Sequence, residues 1–200
     1  LTLNGANITS GYEFGNYYIY YTGIYAKGNL NLELVGANNI EVSTDATEIH
    51  KVYGIYIDGN LTVSGGGSLM AKGSDSGIYV CNNLTVNGGS VSGTGTDSGI
   101  YVDDTLTVTD GTVSGSSRDY GISAYSGMTV SGGRVTGSGE GENGYGIYSD
   151  HGEIRIDGAS YVKAKSSAAG HTIYAYNSSD FFVNNLPYTP AEGATEVTVE

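Results

Sequence analysis

Six tyrosines occupy the same position of a repeated segment, and their side chains could bind sugars. Each follows an isoleucine directly, while Ser123 stands at this place in one further copy. A tyrosine ring can take up the apolar C–H face of a pyranose, and its hydroxyl can hydrogen-bond to the edge of the sugar. Stacked tyrosines can also serve only to stabilise neighbouring strands. The predicted carbohydrate-binding residues are Tyr25, Tyr56, Tyr79, Tyr101, Tyr148 and Tyr174.

Aspartates recur two residues before the glycine of the repeat, at Asp75, Asp97 and Asp119. Carboxylates stacked one above another repel each other, and a hard cation such as Ca²⁺ would relieve that repulsion. Alternatively, these short polar side chains hydrogen-bond to the backbone of their own turns. No EF-hand spacing is present. Turn chemistry is the preferred interpretation, so no cofactor is predicted, and bound Ca²⁺ is the alternative. A second group lies at the next corner, at Asp58, Asp103, Asp104 and Asp150.

Residues that could catalyse a reaction are few. The histidines (His50, His151 and His171) fall at different places of the repeat and form no constellation. Glu153, Arg155 and Asp157 alternate along one predicted strand, and a polysaccharide lyase uses such a group as a base with metal-binding carboxylates. The neighbouring copy offers only hydroxyl side chains at the matching places. A solvated ion pair is therefore the preferred interpretation, and the sequence predicts no enzyme.

The elements that position these side chains follow from the repeat. The segment GIYVCNNLTVNGGSVSG at 77–93 returns as GIYVDDTLTVTDGTVSG at 99–115, and looser copies occur along the chain. The isoleucine after the glycine recurs at intervals of 22 to 31 residues. Such a period is typical of a solenoid. The isoleucines are Ile24, Ile55, Ile78, Ile100, Ile122, Ile147 and Ile173.

Each copy contains three short runs in which apolar and polar residues alternate, as where Ile78 and Val80 flank Tyr79. Alternation places the apolar residues on one side of a strand, and the gaps contain Asn, Asp, Ser and Gly, which favour turns. The LxxLxLxxN string of leucine-rich repeats and the six-residue period of left-handed β-helices are both absent. The predicted fold is all-β, a single-stranded right-handed parallel β-helix with three short strands per coil of about 22 residues.

The repeat extends almost throughout the chain, so residues 1–200 are predicted to form one solenoid domain, a fragment of a larger surface protein. Residues 44–53 are the longest departure from the repeat and are expected to protrude. Residues 184–200 contain both prolines and are expected to form a C-terminal cap or the start of a further element. Three inward rows are predicted, of which the isoleucines after the glycine form the first. The second consists of Leu30, Leu61, Leu84, Leu106, Met128 and Ile154. The third consists of Ile40, Leu69, Val91, Val113, Val135 and Val162.

The charge balance limits the classes of partner. The chain has 21 Asp and Glu against 8 Lys and Arg, which argues against nucleic acid and anionic membrane surfaces because neither would be attracted at long range. No apolar run approaches the length of a membrane-spanning helix. Cys81 is the single cysteine, so the chain cannot form an internal disulfide.

Copies of the form GI(Y/x)…LT(V/I)xGGx(V/L) resemble the β-helical carbohydrate-binding domains of clostridia and related gut bacteria, best over residues 54–165. The resemblance implies a pectate-lyase-like β-helix, secretion and attachment to the cell surface. It also implies a plant cell-wall or host glycan as the partner, with Ca²⁺ as a candidate cofactor. That family carries an aspartate directly before its Gly-Ile pair. Here Ser76 and Ser98 intervene, so no metal ligand is carried over.

Together these features predict an extracellular, non-catalytic polysaccharide-binding module that uses a row of tyrosines on one sheet. One alternative is a bacterial adhesin or structural stalk that presents its N-terminal tyrosines and residues 44–53 to a protein receptor. A third possibility is a polysaccharide lyase. The sequence excludes neither alternative.

Overall fold

The computed structural model describes residues 1–46, 49–158, 160–167, 171–176 and 180–200. These residues contain no helix, and they form short strands that stack in parallel, coil upon coil, into a solenoid. The all-β parallel β-helix predicted from the repeat is thereby confirmed. None of the described residues belongs to a helix that could cross a lipid bilayer.

Each coil contributes to three faces, which we name after their outward residues. The threonine face contains β1 (Thr2–Asn4), β5 (Leu30–Val35), β8 (Leu61–Gly65), the first part of β11 (Leu84–Thr94) and of β13 (Thr105–Ser117), β15 (Gly127–Val130), β18 (Ile154–Ile156), β21 (Phe181–Val183) and β22 (Leu186–Pro187). The serine face contains β2 (Asn7–Ile8), β6 (Ala37–Glu41), β9 (Ser68–Lys72), the second part of β11 and β13, β16 (Arg134–Gly139), β19 (Tyr161–Ser166) and β23 (Glu196–Val199). Strands β11 and β13 turn the corner between these two faces through a shift in register.

The third face, the tyrosine face, is a separate sheet of eight strands among the described residues. It contains β3 (Tyr12–Phe14), β4 (Ile19–Ala26), β7 (Ile49–Ile57), β10 (Ser76–Val80), β12 (Ser98–Val102), β14 (Tyr120–Ala124), β17 (Tyr145–Ser149) and β20 (Ile173–Ala175). All neighbours in this sheet are parallel except β3, which pairs antiparallel with β4. Strand β3 therefore covers the N-terminal edge of the face.

The core is built from rows of like residues. The isoleucine after the glycine pairs with its counterpart in each neighbouring coil from Ile55 to Ile147, and these side chains are completely buried. Burial of one such side chain contributes about 1.5–3 kcal/mol. Each coil obtains this stabilisation only because its neighbours cover it, so the solenoid depends on the stacking that also positions the outward residues.

Glycines allow the tyrosine face to approach the serine face closely. A Cβ added at Gly93 would lie 2.1 Å from the carbonyl oxygen of Gly99, and one added at Gly99 would lie 2.4 Å from the amide nitrogen of Ser116. The glycine of the Gly-Ile pair is thus required by the corner between these two faces. This corner also carries the residues that directly precede the glycine.

The serine face departs from the predicted register at its N-terminal end. Asn38 pairs with Leu69, whereas Ile40 pairs with Ala71. The third inward row therefore ends in an asparagine, and the prediction that Ile40 belongs to it is wrong. The coil that contains Ile40 is longer than its neighbours, so spacing alone misplaced the register by two residues, which preserves the inward direction.

Asn38 is tolerated in the core because its amide group is fully engaged. The side chain is 3% exposed. Its Oδ1 accepts a hydrogen bond from the amide of Ala6 at 2.8 Å, and its Nδ2 donates to the carbonyls of Val35 at 3.2 Å and Ser68 at 3.0 Å. The asparagine thus connects three successive coils at a point where the repeat is least regular.

Replacing Asn38 by alanine should lower the free energy of unfolding by about 2 kcal/mol, because it leaves buried backbone groups without partners. Asn31→Ala is the matched control, since the Asn31 side chain lies exposed on the outer side of β5 and its loss should change stability by less than about 0.5 kcal/mol. Urea unfolding followed by circular dichroism measures both values. Equal stability of the two variants would contradict a structural role for the buried amide.

The segment 44–53, predicted to protrude, lies partly within the sheet. Residues 49–53 begin β7 and pair with β4, with Lys51 opposite Tyr20 and Tyr53 opposite Thr22. The prediction is wrong for these residues, because the early part of β4 provides an edge with which they pair. Residues 47–48 lie outside the described residues.

The C-terminal segment turns back on the solenoid. Strand β22 pairs antiparallel with β21, and β23 pairs antiparallel with β19. Val197 and Val199 of β23 are buried against the core. The antiparallel pairing of β23 covers the edge of β19 on the serine face. The interpretation of residues 184–200 as a cap or the start of a further element stays a prediction.

Candidate carbohydrate-binding surface

The six predicted tyrosines lie on the outer side of the tyrosine face, and all of them are half-buried. The strand register places them in one row along the solenoid, which we call the first row. Ser123 separates two groups within it. The members of the first row are Tyr25, Tyr56, Tyr79, Tyr101, Ser123, Tyr148 and Tyr174.

The rings of the first row stack mainly on one another. The centroids of Tyr56 and Tyr79 are 5.1 Å apart with an interplanar angle of 7°, and those of Tyr79 and Tyr101 are 4.9 Å apart at 18°. Strands are spaced by about 4.8 Å, which leaves no room for a sugar between two such rings. Ring faces within the stack are therefore covered, and mainly edges and hydroxyls remain for a ligand.

The N-terminal end of this stack is covered by the β3–β4 hairpin. The ring of Phe14 stacks on Tyr25 at 4.3 Å with an interplanar angle of 19°, and it also contacts Tyr56 at 4.8 Å. At the other end, Tyr101 has Ser123 as its next neighbour in the row. An uncovered ring face of this stack therefore occurs at Tyr101 rather than at its N-terminal end.

A second outward row runs beside the first, and no binding role was predicted for its residues. It consists of the residue directly before the glycine of each repeat, a position at which tyrosine and serine alternate in blocks. The change between tyrosine and serine at this position was the pattern in the sequence that could have indicated a groove. The members of the second row are Thr22, Tyr53, Ser76, Ser98, Tyr120 and Tyr145.

The two rows together enclose a groove. Its floor consists of the buried residues Ser76 and Ser98, and Tyr79 and Tyr101 of the first row line one side. Its ends are formed by Tyr53 and Tyr120; these are three strand spacings apart, about 14 Å. The cavity volume is about 530 Å³, which lies within the range of roughly 300–1,000 Å³ found for small-molecule sites.

The two ends of the groove differ in what they present to a ligand. Tyr53 is only 6% exposed because its ring packs against Tyr56 and Tyr79, both at 5.2 Å. Tyr120 stacks on Tyr145 in the following coil, at 5.8 Å and 9°. The opposite face of the Tyr120 ring is therefore directed toward the preceding coil and into the groove. It is the ring face best placed to contact a sugar there.

The side of the groove opposite the first row is charged and contains Lys51, Asp97 and Asp119. The Lys51 ammonium bridges two coils, because it lies 3.1 Å from Asp75 Oδ1 and forms a hydrogen-bonded ion pair with Asp97. Partial burial lowers the pKa of Lys51, but the hydrogen bonds to Asp97 and Asp75 outweigh this effect, so its pKa is raised. Lys51 is thus held in its charged form.

Two of the aspartates considered as a calcium site, Asp75 and Asp97, are held by this lysine. Lys51 lies between Asp75 and Asp97, and Asp75 Oδ2 also accepts a hydrogen bond from the amide of Val52 at 2.7 Å. No group of three or more His, Cys, Asp or Glu side chains in the described part of the chain is placed to hold a metal ion. The geometry around Lys51 favours an ion-pair network at these aspartates.

Aspartates at the next corner accept hydrogen bonds from the first row. The Tyr148 hydroxyl donates to Asp150 at 2.8 Å, and the Tyr79 hydroxyl donates to Asp103 at 3.3 Å. Burial raises the pKa of Asp103, and burial together with the nearby Asp103 charge raises the pKa of the Tyr101 hydroxyl to about 12. The hydroxyls of Tyr79 and Tyr148 therefore donate their single proton to these carboxylates and offer a ligand hydrogen-bond acceptors.

The group considered for lyase chemistry lies on the threonine face, away from the groove. Arg155 Nη2 is 2.5 Å from Glu153 Oε2, and the Arg155 guanidinium lies 4.5 Å above the ring of Phe182. An arginine held in this way has the structural role expected of a surface ion pair. The histidines are also dispersed, since His151 stacks on Tyr125 and His171 stacks on Tyr145.

Comparison of the chain with protein-family models, with curated proteins and with solved structures gives no match. The class of protein that the fold defines is a repeat β-solenoid, in this case one with an aromatic outer face. The resemblance to bacterial carbohydrate-binding domains stays a prediction from the repeat.

Proposed function

We propose that this chain is an extracellular, non-catalytic polysaccharide-binding module of a bacterial cell-surface protein, and that the groove on the tyrosine face is its primary binding site. The observation that carries the proposal is the composition of the groove. A ring face of Tyr120, the hydroxyls of Ser76 and Ser98, and the edges of two tyrosines surround one elongated cavity. Sugars require this combination of an aromatic face with several hydrogen-bonding groups.

The remaining tyrosines extend the site along the solenoid. Those of the first row outside the groove present edges and hydroxyls at about 4.8 Å intervals, which permits shallow contacts with a long chain. Such contacts increase affinity because many weak contacts act together, without a deep binding pocket. The groove therefore provides the specific contact, and the first row increases affinity for longer polymers.

A glycan array probed with and without Ca²⁺ tests the proposal and identifies the sugar. Binding should increase with the length of the oligosaccharide until the groove is filled, and then more slowly. Glycan binding that requires Ca²⁺ would support a metal-binding role for the aspartates. Absence of binding to every glycan would contradict the proposed function and favour the adhesin alternative, for which the exposed side chains of Tyr17 and Tyr18 provide a surface.

Replacing Tyr56, Tyr79 and Tyr101 together by serine should weaken binding to long polymers by at least about tenfold, which corresponds to about 1.4 kcal/mol. The effect on disaccharides should be smaller, because the ring of Tyr120 remains. Isothermal titration calorimetry with a polymer and with its short fragments measures both effects.

The matched control changes the same three coils on the neighbouring face, with Thr62, Thr85 and Thr107 replaced by alanine. This variant should keep its affinity for the polymer. If the tyrosine variant remains folded by circular dichroism and retains full polymer affinity, the first row is scaffold only. Release of unsaturated products from polygalacturonate, abolished by Arg155→Ala, would instead establish the lyase alternative.

A further inference from the structure

The charges around the groove restrict which sugars it can accept. Asp97 and Asp119 line it, and Asp75 lies directly behind. Lys51 is the one cationic residue among the described residues that line the groove, and it is already engaged by Asp75 and Asp97. The carboxylates therefore outnumber the ammonium, and the groove carries a negative potential on this side.

Asp119 is the carboxylate most available to a ligand. The nearest cation to it is the Arg118 guanidinium at 3.9 Å, and the side chains of Arg118 and Asp119 are 74% and 51% exposed. Exposed pairs of this kind interact weakly. The backbone position of Asp119 is nevertheless well defined, because its carbonyl accepts a hydrogen bond from the amide of Tyr145.

Asp119 also directly precedes Tyr120, whose free ring face forms one end of the groove. A carboxylate and an aromatic face are thus adjacent at the same end. Together they are the two groups that a protonated amine binds, through a charge-assisted hydrogen bond and a cation–π contact. A carboxylate-bearing sugar placed there would meet like charge instead.

We infer that the groove selects a glycan that contains amino sugars with free amines, such as glucosamine units, and rejects uronic acids. The inference rests on the proposed function and names its ligand class. The ammonium of the sugar lies between the Asp119 carboxylate and the Tyr120 ring, while the serine hydroxyls of the floor and the tyrosine edges contact the sugar ring. The net charge of −13 adds a long-range attraction for a polycationic chain.

Isothermal titration calorimetry with three tetrasaccharides tests this inference: a glucosamine oligomer, the N-acetylglucosamine oligomer of the same linkage, and oligogalacturonate. The glucosamine oligomer should bind at least about tenfold more tightly than the acetylated one, and the oligogalacturonate most weakly. Asp119→Asn should remove most of the difference between the first two. Its effect on affinity for the acetylated oligomer should be much smaller, since that sugar carries no charge.

Asp110→Asn is the matched control, because it changes the net charge equally at an exposed corner between the other two faces. If the preference for the glucosamine oligomer over the acetylated one falls equally in both variants, a general attraction to the acidic protein explains that preference, and the inference is overturned. Equal affinity for the free and acetylated oligomers, or strongest binding of oligogalacturonate, also overturns it while leaving the proposed function intact. Failure of all three oligomers and of the glycan array would reject both proposals.

Discussion

Replacing Ile100 by aspartate should destabilise the solenoid by about 4 kcal/mol or more. The side chain is completely buried and pairs with Ile78 on one side and Ile122 on the other. A carboxylate at this place loses its hydration without gaining a partner, and it must either remain charged at great cost or become protonated. Thermal and urea unfolding followed by circular dichroism measure the loss.

Tyr101→Ser provides the contrast within the same strand. Tyr101 is half-buried, stacks on Tyr79, and has a serine as its partner in the next coil. Loss of one stacked ring should cost about 1 kcal/mol. If the two substitutions destabilise the protein equally, the assignment of inward and outward residues on the tyrosine face would be wrong.

Replacing Ser98 by tyrosine should abolish binding of oligosaccharides while leaving the protein folded. Ser98 lies on the floor of the groove, and its neighbours in the second row are Ser76 and Tyr120. A tyrosine here would continue the row formed by Tyr120 and Tyr145, fill the cavity and cover the free face of the Tyr120 ring. We expect affinity to fall by at least about a hundredfold, or 2.8 kcal/mol.

Ser92→Tyr is the control for the added ring. Ser92 lies on the outer side of the serine face, and its partner in the preceding coil is the exposed Met70, so a large side chain is accommodated there. This variant should bind oligosaccharides as the unchanged protein does. Unaltered binding by a folded Ser98→Tyr variant would show that the groove is not the binding site.

The fold and the direction of most side chains were predictable from the sequence because both depend on local patterns. Alternation around Ile78 and Tyr79 determines which residue points inward within one strand. Recurrence of the same segment at 77–93 and 99–115 then places like residues opposite each other, since coils of equal length stack in register. The inward isoleucines and the outward tyrosines follow from these two properties alone.

The register predicted from the sequence is wrong where the length of the coil changes. The coil before Ile55 is 31 residues long, against 22 or 23 for the next ones, and nothing local shows where the extra residues are accommodated. The structure places some of them in β7, and it puts Asn38 rather than Ile40 opposite Leu69. Only pairing with the neighbouring coils determines these positions.

The groove likewise depends on contacts between residues distant in the sequence. Lys51 lies in a segment predicted to protrude, yet it reaches Asp75 and Asp97 in the next two coils. The rows of Tyr79 and Ser76 could each be found from the repeat, but not the cavity that they enclose. Whether neighbouring tyrosines expose or cover their ring faces depends on how the rings rotate against each other. Packing between coils decides this, because an approximately 4.8 Å spacing permits stacked rings but no ligand between them.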